Sequence, residues 1–253
     1  MTLRINIRKK RFPLARSGEY RIVIRDFTLC LASGTYCCLV GPSGCGKSTL
    51  LHMVAGMDRD YEGGIEYPAD VETELSSSLS YVFQEPRLLP WRTVLQNISL
   101  ARVSATRHRY TDEAEMFDLL EFMGLSPVLH EYPGRLSLGM NRRVALVRAL
   151  VREPRIMLLD EPLASLDAPT ARRIRQLLLG AWQKQPHTVL HVTHDLPEAL
   201  AMADSIVFLE RDPMRIMHQL DIDTPRSQRE ENGWQQAFLA DAMVRQPLLR
   251  GLL

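Results

Sequence analysis

The sequence predicts an α/β fold with a parallel sheet, an antiparallel β segment at the N-terminus and an all-helical insertion in the middle. Two observations support this prediction. Short runs that are apolar throughout recur along the 253 residues, as in strands buried on both faces of a sheet. Segments of helical composition lie between several of these runs, which is typical of parallel α/β sheets. In one central stretch the buried runs stop, and only helical patterns remain.

The strands are indicated by the apolar pattern of each segment. Apolar and polar residues alternate well enough in Arg21–Leu31 to predict half-buried antiparallel strands. Tyr36–Gly41 is apolar and followed by glycines, which predicts a short strand buried on both faces. The same pattern predicts later strands in Leu79–Gln84, Arg155–Pro162, Thr188–Asp195 and Ser205–Glu210.

The helical insertion is predicted over about residues 92–152. Within it, Met116, Leu119, Leu120 and Met123 follow the i, i+3, i+4, i+7 spacing of one apolar helix face, which ends at Gly124. The tail, residues 213–253, is polar and mixed, with one strand predicted in Arg215–Asp223 and a final helix. Residues 1–253 are predicted to form a single domain, since this length can bury a substantial core.

Composition excludes several classes of function. The net charge is +1, so no strong positive field indicates nucleic-acid binding. No apolar stretch follows the basic N-terminus as a signal peptide requires, and no run is long enough to span a membrane. The four cysteines lack metal-ligand spacing and are expected to be reduced thiols in a cytosolic protein. The basic cluster Arg8–Arg11 is expected to be a solvated face.

The strongest motif is GPSGCGKST at Gly41–Thr49, which matches the G-x-x-x-x-G-K-[ST] phosphate-binding loop. Small residues allow backbone N–H groups to surround phosphate oxygens, and a helix N-terminus adds positive potential. Lys47 is predicted to reach the β- and γ-phosphates, and the Ser48 hydroxyl to ligate Mg²⁺. An ordinary glycine loop is disfavoured because the motif follows a buried strand and opens a helix. The predicted nucleotide contacts are Gly41, Pro42, Ser43, Gly44, Cys45, Gly46, Lys47, Ser48 and Thr49.

Two adjacent carboxylates follow the apolar run of RIMLLDEP. Asp160 is suited to hold the Mg²⁺ shell, usually through water, because Mg²⁺ retains much of its hydration. Glu161 is suited to polarise an attacking water as a general base. The alternative is an acidic pair that caps a helix, and the phosphate-binding loop upstream makes this the weaker interpretation.

From Phe12 to Arg226 the chain resembles the nucleotide-binding subunits of ATP-binding cassette transporters, with the motifs in the family order. The resemblance implies a P-loop NTPase with a RecA-like core, two copies that sandwich two MgATP, and a separate membrane permease. It also implies a site role for several residues: Gln84 of VFQEP near Mg²⁺ and in catalysis, Ser137 and Gly139 of the signature RLSLGM, Asp167 of ASLDA at the dimer interface, and His194 of HVTHD at the γ-phosphate.

Two positions remain open within the resemblance. Phe12 stands where the family has an aromatic residue that stacks on adenine, although it could equally be a core or exposed residue. Leu138 replaces the usual glycine of the signature, and we expect it to be tolerated and to point away from the nucleotide. A leucine disfavours positive φ, so slow hydrolysis by a switch-like ATPase is an alternative function. A non-transport ATPase of the same fold is another.

The segment EPRLLPWRTVLQNISL (Glu85–Leu100) resembles the nitrate, sulfonate and taurine importers of the family. Trp91 is interpreted either as a contact for the permease or, slightly preferred, as an anchor of the helical insertion. The expected partners are a second copy, permease subunits and, indirectly, an extracytoplasmic solute-binding protein, with no nucleic acid. The expected location is the cytoplasmic face of the inner membrane, and the motifs do not identify the solute.

Overall fold

The computed structural model describes residues 2–14, 19–103, 113–164, 166–229 and 233–245. The chain divides into two units. The first unit is formed by residues 67–189, and the second unit is formed by residues 2–66 together with 190–253. Parts of the predicted helical insertion (104–112) and of the predicted tail (230–232 and 246–253) lie outside the described residues. The single domain over residues 1–253 stays a prediction, because the division into units does not test it.

The second unit begins with a three-stranded antiparallel sheet, in which β1 (Thr2–Pro13) lies between β2 (Tyr20–Ala32) and β4 (Glu62–Glu66). Leu3, Ile5 and Ile7 of β1 are buried, because alternate residues of this strand face the core. The predicted strand in Arg21–Leu31 is confirmed as β2, which pairs antiparallel with β1. The elements of this part are β1 (Thr2–Pro13), β2 (Tyr20–Ala32), β3 (Tyr36–Val40), α1 (Lys47–Val54) and β4 (Glu62–Glu66).

One expectation for the N-terminus is wrong. The Arg8–Arg11 cluster is not uniformly solvated, because Lys10 is only 2% exposed. Its ammonium lies 2.9 Å from a carboxylate oxygen of Asp58 and donates to the Asp60 carbonyl at 2.7 Å. Lys10 breaks the alternation of β1, because the register of this strand shifts between Ile7 and Lys9 against β4 and between Lys10 and Arg11 against β2. The acidic loop after α1 compensates the charge of the inward-facing ammonium.

The first unit contains the predicted all-helical segment and two paired strands. β5 (Leu79–Val82) and β6 (Ile156–Asp160) run parallel, with Tyr81 beside Leu158 and Val82 beside Leu159. The predicted apolar face Met116–Leu119–Leu120–Met123 is confirmed, since all four side chains are buried. The elements are α2 (Ala69–Glu72), α3 (Leu75–Ser78), β5 (Leu79–Val82), α4 (Val94–Val103), α5 (Glu113–Phe122), α6 (Leu138–Leu150), β6 (Ile156–Asp160) and α7 (Ala168–Lys184).

The chain then returns to the second unit, where β8 (Ser205–Leu209) pairs parallel with β3 and antiparallel with β9 (Ile216–Asp221). Every residue of β8 is buried, as the apolar run predicts for an internal strand. The remaining elements are β7 (Thr188–Thr193), α8 (Leu196–Met202), β8 (Ser205–Leu209), β9 (Ile216–Asp221) and α9 (Trp234–Arg245). Among the described residues, no helix has the length and apolar character needed to cross a membrane.

Candidate functional site

The phosphate-binding loop connects β3 to α1 within the second unit. Gly46 caps α1 with φ 119°, a left-handed conformation that favours glycine. A Cβ at this position would lie 2.8 Å from a methyl carbon of Val23, so a side chain is excluded on steric grounds as well. Gly44 also has positive φ, at 73°. The glycines therefore fix a tight loop whose backbone leads directly into a helix N-terminus, the geometry of an anion site.

Lys47 is folded back onto this loop. Its ammonium donates to the carbonyl oxygens of Gly41 at 2.7 Å and of Pro42 at 2.9 Å, and the side chain is buried. These contacts hold the positive charge at the loop rather than in solvent. Ser48 and Thr49 follow in the first turn of α1 and are half-buried. Cys45 is buried within the loop, where desolvation raises the pKa of its thiol and makes it a poor nucleophile.

His194 follows β7 in the second unit, and its side chain is exposed. The turn that carries it is held from both sides. The Asp195 N–H donates to the Thr193 hydroxyl at 3.0 Å, and the Asp195 carboxylate caps α8 by accepting from the Glu198 N–H at 3.0 Å. A histidine presented by a fixed turn is suited to donate to a phosphate oxygen as charge develops.

A buried polar cluster lies beneath this turn. His191 of β7 is fully buried and is therefore a packing residue. Its Nε2 lies 3.0 Å from Glu198, and its Nδ1 lies 3.1 Å from the Tyr36 hydroxyl of β3. Thr193 donates to the same glutamate at 3.2 Å. Burial is the main cause that raises the pKa of Tyr36, so this hydroxyl stays neutral and able to donate.

The two carboxylates of the first unit emerge at the end of β6. Asp160 is the last residue of the strand and is only 4% exposed. Glu161 follows with φ 48°, an uncommon conformation for a residue with a side chain. Strain of this kind is often retained at functional sites, where it directs a side chain. The Glu161 carbonyl accepts from the Ala164 N–H at 3.3 Å, which stabilises the turn.

The segment after β5 carries Gln84, whose side chain is exposed. The rings of Tyr81 and Phe83 on either side of Val82 stack with centroids 3.9 Å apart. The Arg87 guanidinium lies 4.0 Å from the Phe83 ring centroid. Arg148 of α6 donates to the carbonyls of Pro86 at 3.1 Å and of Arg87 at 3.0 Å. The loop that presents Gln84 is therefore fastened to the signature helix.

The signature residues form the N-terminus of α6. The Ser137 side chain caps this helix by accepting from the Met140 N–H at 3.2 Å. Leu138 is the first helical residue and is 56% exposed. Leu138 does not have a positive φ, so the concern that a leucine strains the backbone at this position is wrong. A Cβ on Gly139 would lie 3.4 Å from a methyl carbon of Leu166, an ordinary van der Waals contact.

Asp167 caps the next helix, α7. Its carboxylate accepts from the Thr170 N–H at 3.1 Å, and hydrogen bonds from Thr170 lower the pKa of this exposed carboxyl. It is therefore ionised at neutral pH while it holds the helix start. The role of Asp167 at a dimer interface stays a prediction.

Two aromatic residues are exposed where a partner or nucleotide could reach them. Phe12 is 41% exposed on β1, and the Lys10 ammonium lies 4.6 Å from its ring centroid. Stacking of Phe12 on adenine stays a prediction, and a core role is excluded. Trp91 is 70% exposed. Its preferred interpretation as an anchor of the helical segment is wrong, because so exposed an indole buries too little surface to hold a subdomain.

Sequence reasoning missed Tyr81, which donates to the Asp160 carboxylate at 3.4 Å. Period-two alternation in β5 was the available signal. Ser80 and Val82 face the buried side, so Tyr81 and Phe83 must share the opposite face, beside the end of β6. No pattern in the sequence indicated that Arg148 fastens the Gln84 loop, because that contact joins residues about sixty positions apart.

Comparison with known proteins gives a consistent result. The sequence profile of the family described as ABC transporter matches residues 24–164. The chain is 38% identical over 220 residues to the "Aliphatic sulfonates import ATP-binding protein SsuB" of Bacillus subtilis (strain 168), covering 87% of this chain and 84% of that protein. It is 39% identical over 228 residues to "SsuB 2" of Burkholderia cenocepacia (strain HI2424), covering 89% and 83%.

Solved structures agree with these relatives. The fold is similar to the "Dimeric Structure of MJ0796, a Bacterial ABC Transporter Cassette", with a TM-score of 0.76 and 26% identity over 89% of this chain and 100% of that one. It is also similar to a dimeric structure of a post-hydrolysis state of the same cassette bound to ADP and Pi, with a TM-score of 0.75 and the same identity and coverage.

Proposed function

Because the chain belongs to the ABC transporter family of ATP-binding ATPases, we propose that it drives an importer of aliphatic sulfonates or chemically related small anions. The observation that carries this proposal is its likeness to two sulfonate-import ATP-binding proteins over more than four fifths of their length. The glycine-fixed loop, the buried Asp160 and the strained Glu161 supply the residue types that ATP hydrolysis requires.

The proposed phosphate contacts come from the Gly41–Thr49 loop. Its backbone N–H groups bind phosphate oxygens, and Lys47 exchanges its two carbonyl partners for the β- and γ-phosphates. Phe12 stacks on adenine in this proposal. The loop and helix terminus make the site selective for an anionic, phosphate-bearing ligand.

The residues proposed to hold Mg²⁺ are Ser48, Gln84 and Asp160. All three offer oxygen atoms, which Mg²⁺ prefers, and the buried carboxylate of Asp160 is the kind of group that a metal shell compensates. When bound, Mg²⁺ neutralises charge on the phosphates. Gln84 is exposed on the loop that Arg148 holds, so a neighbouring subunit can contact it.

In the proposed mechanism Glu161 accepts a proton from the attacking water, while His194 donates to the γ-phosphate as negative charge develops. A second copy of the chain supplies Ser137 and Gly139 to the same phosphate, and Asp167 contacts that copy. The dimeric structures of the similar cassette support a dimer of this chain, and in our proposal its two copies bind head-to-tail. Helix α6 presents Ser137 at its N-terminus, which is suited to meet an anion.

The proposed partners are permease subunits at the cytoplasmic face of the inner membrane and, through them, an extracytoplasmic solute-binding protein. Trp91 is the proposed contact with the permease, since an exposed indole beside the Gln84 loop is typical of an interface residue. A contact at this place would let the permease influence the loop that α6 holds through Arg148.

Uptake by a strain that lacks this gene tests the proposal. We expect wild-type chain to restore uptake of labelled ethanesulfonate, taurine or nitrate, and Lys47→Ala to restore none. Trp91→Ala should reduce uptake several-fold while the purified subunit binds ATP normally. If deletion leaves uptake of all three solutes unchanged, the proposed substrate class is wrong. If Lys47→Ala also restores uptake, the chain does not energise it.

A further inference from the structure

The Tyr81 hydroxyl lies against the carboxylate that is proposed to serve Mg²⁺. β5 and β6 are parallel and pair Val82 with Leu159, so the end of β5 lies beside Asp160. Tyr81 donates to Oδ2 of Asp160 at 3.4 Å. With one carboxylate oxygen held by the hydroxyl, rotation about the Cβ–Cγ bond is restricted and the direction of Oδ1 is set.

The Tyr81 ring is itself held by its neighbours. It stacks on Phe83 with an interplanar angle of 14° and a centroid distance of 3.9 Å, which leaves little freedom for the ring to turn. The Arg87 guanidinium lies 4.0 Å from the centroid of Phe83, so a cation–π contact adds to the stack. The three side chains form a column, which we call the Tyr81–Phe83–Arg87 column, that ends at the Asp160 carboxylate.

The far end of the column is fixed by α6. Arg148 donates to the backbone carbonyls of Pro86 and Arg87, and these bonds set the backbone from which the Arg87 side chain extends. The Ser80 hydroxyl of β5 also donates to the Ala149 carbonyl at 3.1 Å. The helix that Ser137 caps is therefore connected through the column to Asp160, by contacts that all lie within the first unit.

We propose that Tyr81 is a positioning residue: its hydroxyl, held by the Tyr81–Phe83–Arg87 column, orients the Asp160 carboxylate for Mg²⁺. The inference rests on the proposed function of Asp160 and adds a residue to it that touches neither nucleotide nor metal. Removing the hydroxyl takes away one restraint on rotation of the carboxylate, so the metal shell must then supply that part of its orientation. The variant should therefore lose affinity for nucleotide in the presence of metal and keep its affinity for nucleotide in the absence of metal.

Tyr81→Phe tests this because it removes only the hydroxyl and retains the stack. The purified full-length chain is titrated calorimetrically with the ATP analogue AMP-PNP, in EDTA and at increasing Mg²⁺. We expect the Mg²⁺ concentration for half-maximal tightening to rise roughly three- to tenfold, as for a hydrogen bond to a charged group. Affinity in EDTA should match wild type. Tyr132→Phe, an exposed tyrosine of the same unit, is the matched control and should behave as wild type.

Arg87→Gln provides a second variant that acts only through the column. Arg87 is exposed, so its replacement leaves the core intact. We expect a smaller shift in the same direction, about twofold, since a cation–π contact at an exposed site is weak. The double variant should shift the Mg²⁺ requirement by less than the product of the two single shifts, because both act on one carboxylate.

The outcomes distinguish failure of the proposed Mg²⁺ site from failure of the proposed role of Tyr81. If wild type binds AMP-PNP with no Mg²⁺ dependence, the proposed metal site fails, and the inference fails with it. If wild type depends on Mg²⁺ and Tyr81→Phe shows the same half-saturation, the inference alone is overturned. An equal loss of affinity in EDTA and in Mg²⁺ would also overturn it, because a purely structural defect affects both. Should Tyr81→Phe not fold, an unshifted Arg87→Gln decides against the column.

Discussion

Leu138 occupies the third position of the signature with ordinary helical geometry. It is the first residue of α6 and exposes more than half of its surface, so it needs neither positive φ nor a buried pocket. The groups that can meet an anion are the Ser137 hydroxyl and the backbone at the helix N-terminus. Neither depends on the identity of residue 138, which removes the main sequence argument for a slow-hydrolysing switch.

Substitutions at the signature should therefore differ sharply. Leu138→Gly is expected to be neutral or mildly activating in ATPase rate, with a helix cost of at most about 1 kcal/mol. Ser137→Arg should abolish most ATPase activity, because the larger side chain blocks approach to a partner's nucleotide. The ATPase rate of the assembled transporter measures both. A many-fold increase in Leu138→Gly over a nearly inactive wild type would restore the switch interpretation.

A thermal melt serves as the control for Ser137→Arg. Loss of the helix cap alone costs about 1 kcal/mol, which shifts the melting temperature by only a few degrees. A well-folded and inactive variant supports the role in phosphate binding. A variant that unfolds at assay temperature would instead show that Ser137 acts mainly as a helix cap.

At the scale of elements, β1 is a strand that the sequence pattern did not predict. The buried strands β3, β5, β6, β7 and β8 were predicted because each is a short apolar run, and burial on both faces demands such a run. The strand β1 was not predicted, since its polar residues face outward and its lysines resemble a solvated cluster. Burial of Lys10 depends on Asp58 and Asp60, which are nearly fifty residues away, and only the paired register reveals that contact.

In the candidate site, too, local motifs could be predicted from the sequence and long-range contacts could not. Contiguous motifs predicted the phosphate loop and the carboxylate pair, because local backbone geometry requires their residues in sequence, and the family resemblance predicted the signature. The Tyr81–Asp160 and Arg148–Arg87 contacts were missed because they depend on strand register and helix packing. The exposure of Trp91 was also misjudged, since an indole in an apolar segment has the same local pattern whether it is buried or presented to a partner.

Lys10→Ala should destabilise the protein by about 1–3 kcal/mol, measured by denaturant unfolding. The ammonium contacts Asp58, which is partly exposed, so solvent screening makes the loss smaller than for a fully buried pair. Lys9→Ala is the matched control, because the adjacent lysine is more exposed and lies 4.0 Å from its partner Glu62. Its effect should stay within about 0.5 kcal/mol. Equal effects of the two variants would contradict the structural role of Lys10.

At the scale of the whole molecule, the two units carry different parts of the proposed ATPase. The second unit holds the phosphate loop and His194, and the first holds the carboxylate pair, Gln84, the signature and Asp167. Each motif is fixed inside its unit by local contacts: caps at Ser137 and Asp167, glycines at 44 and 46, and the hydrogen-bonded turn at Asp195. These contacts fix the backbone of each proposed motif within its own unit.

Thiol reactivity reports how tightly the second unit is packed. All four cysteines are free, and Cys30 alone among them is exposed. Burial raises the pKa of Cys37 to about 12, so very little thiolate forms at pH 8. We expect Ellman's reagent to modify one thiol rapidly in the native protein and all four after denaturation. Cys30→Ser should remove the fast phase. Two or more fast thiols in wild type would contradict the burial of Cys37 and Cys38 in β3 or of Cys45 in the phosphate loop.

Hydrolysis in the Glu161→Gln variant tests the central claim most directly. The account holds that this residue accepts the proton from the attacking water, while ATP binding and dimer closure depend on other groups. We predict that Glu161→Gln binds MgATP normally, forms a stable ATP-bound dimer by light scattering, and hydrolyses ATP at least about 10²-fold more slowly than wild type. Near-normal steady-state ATPase in this variant, or failure of the ATP-bound chain to dimerise, would contradict the account.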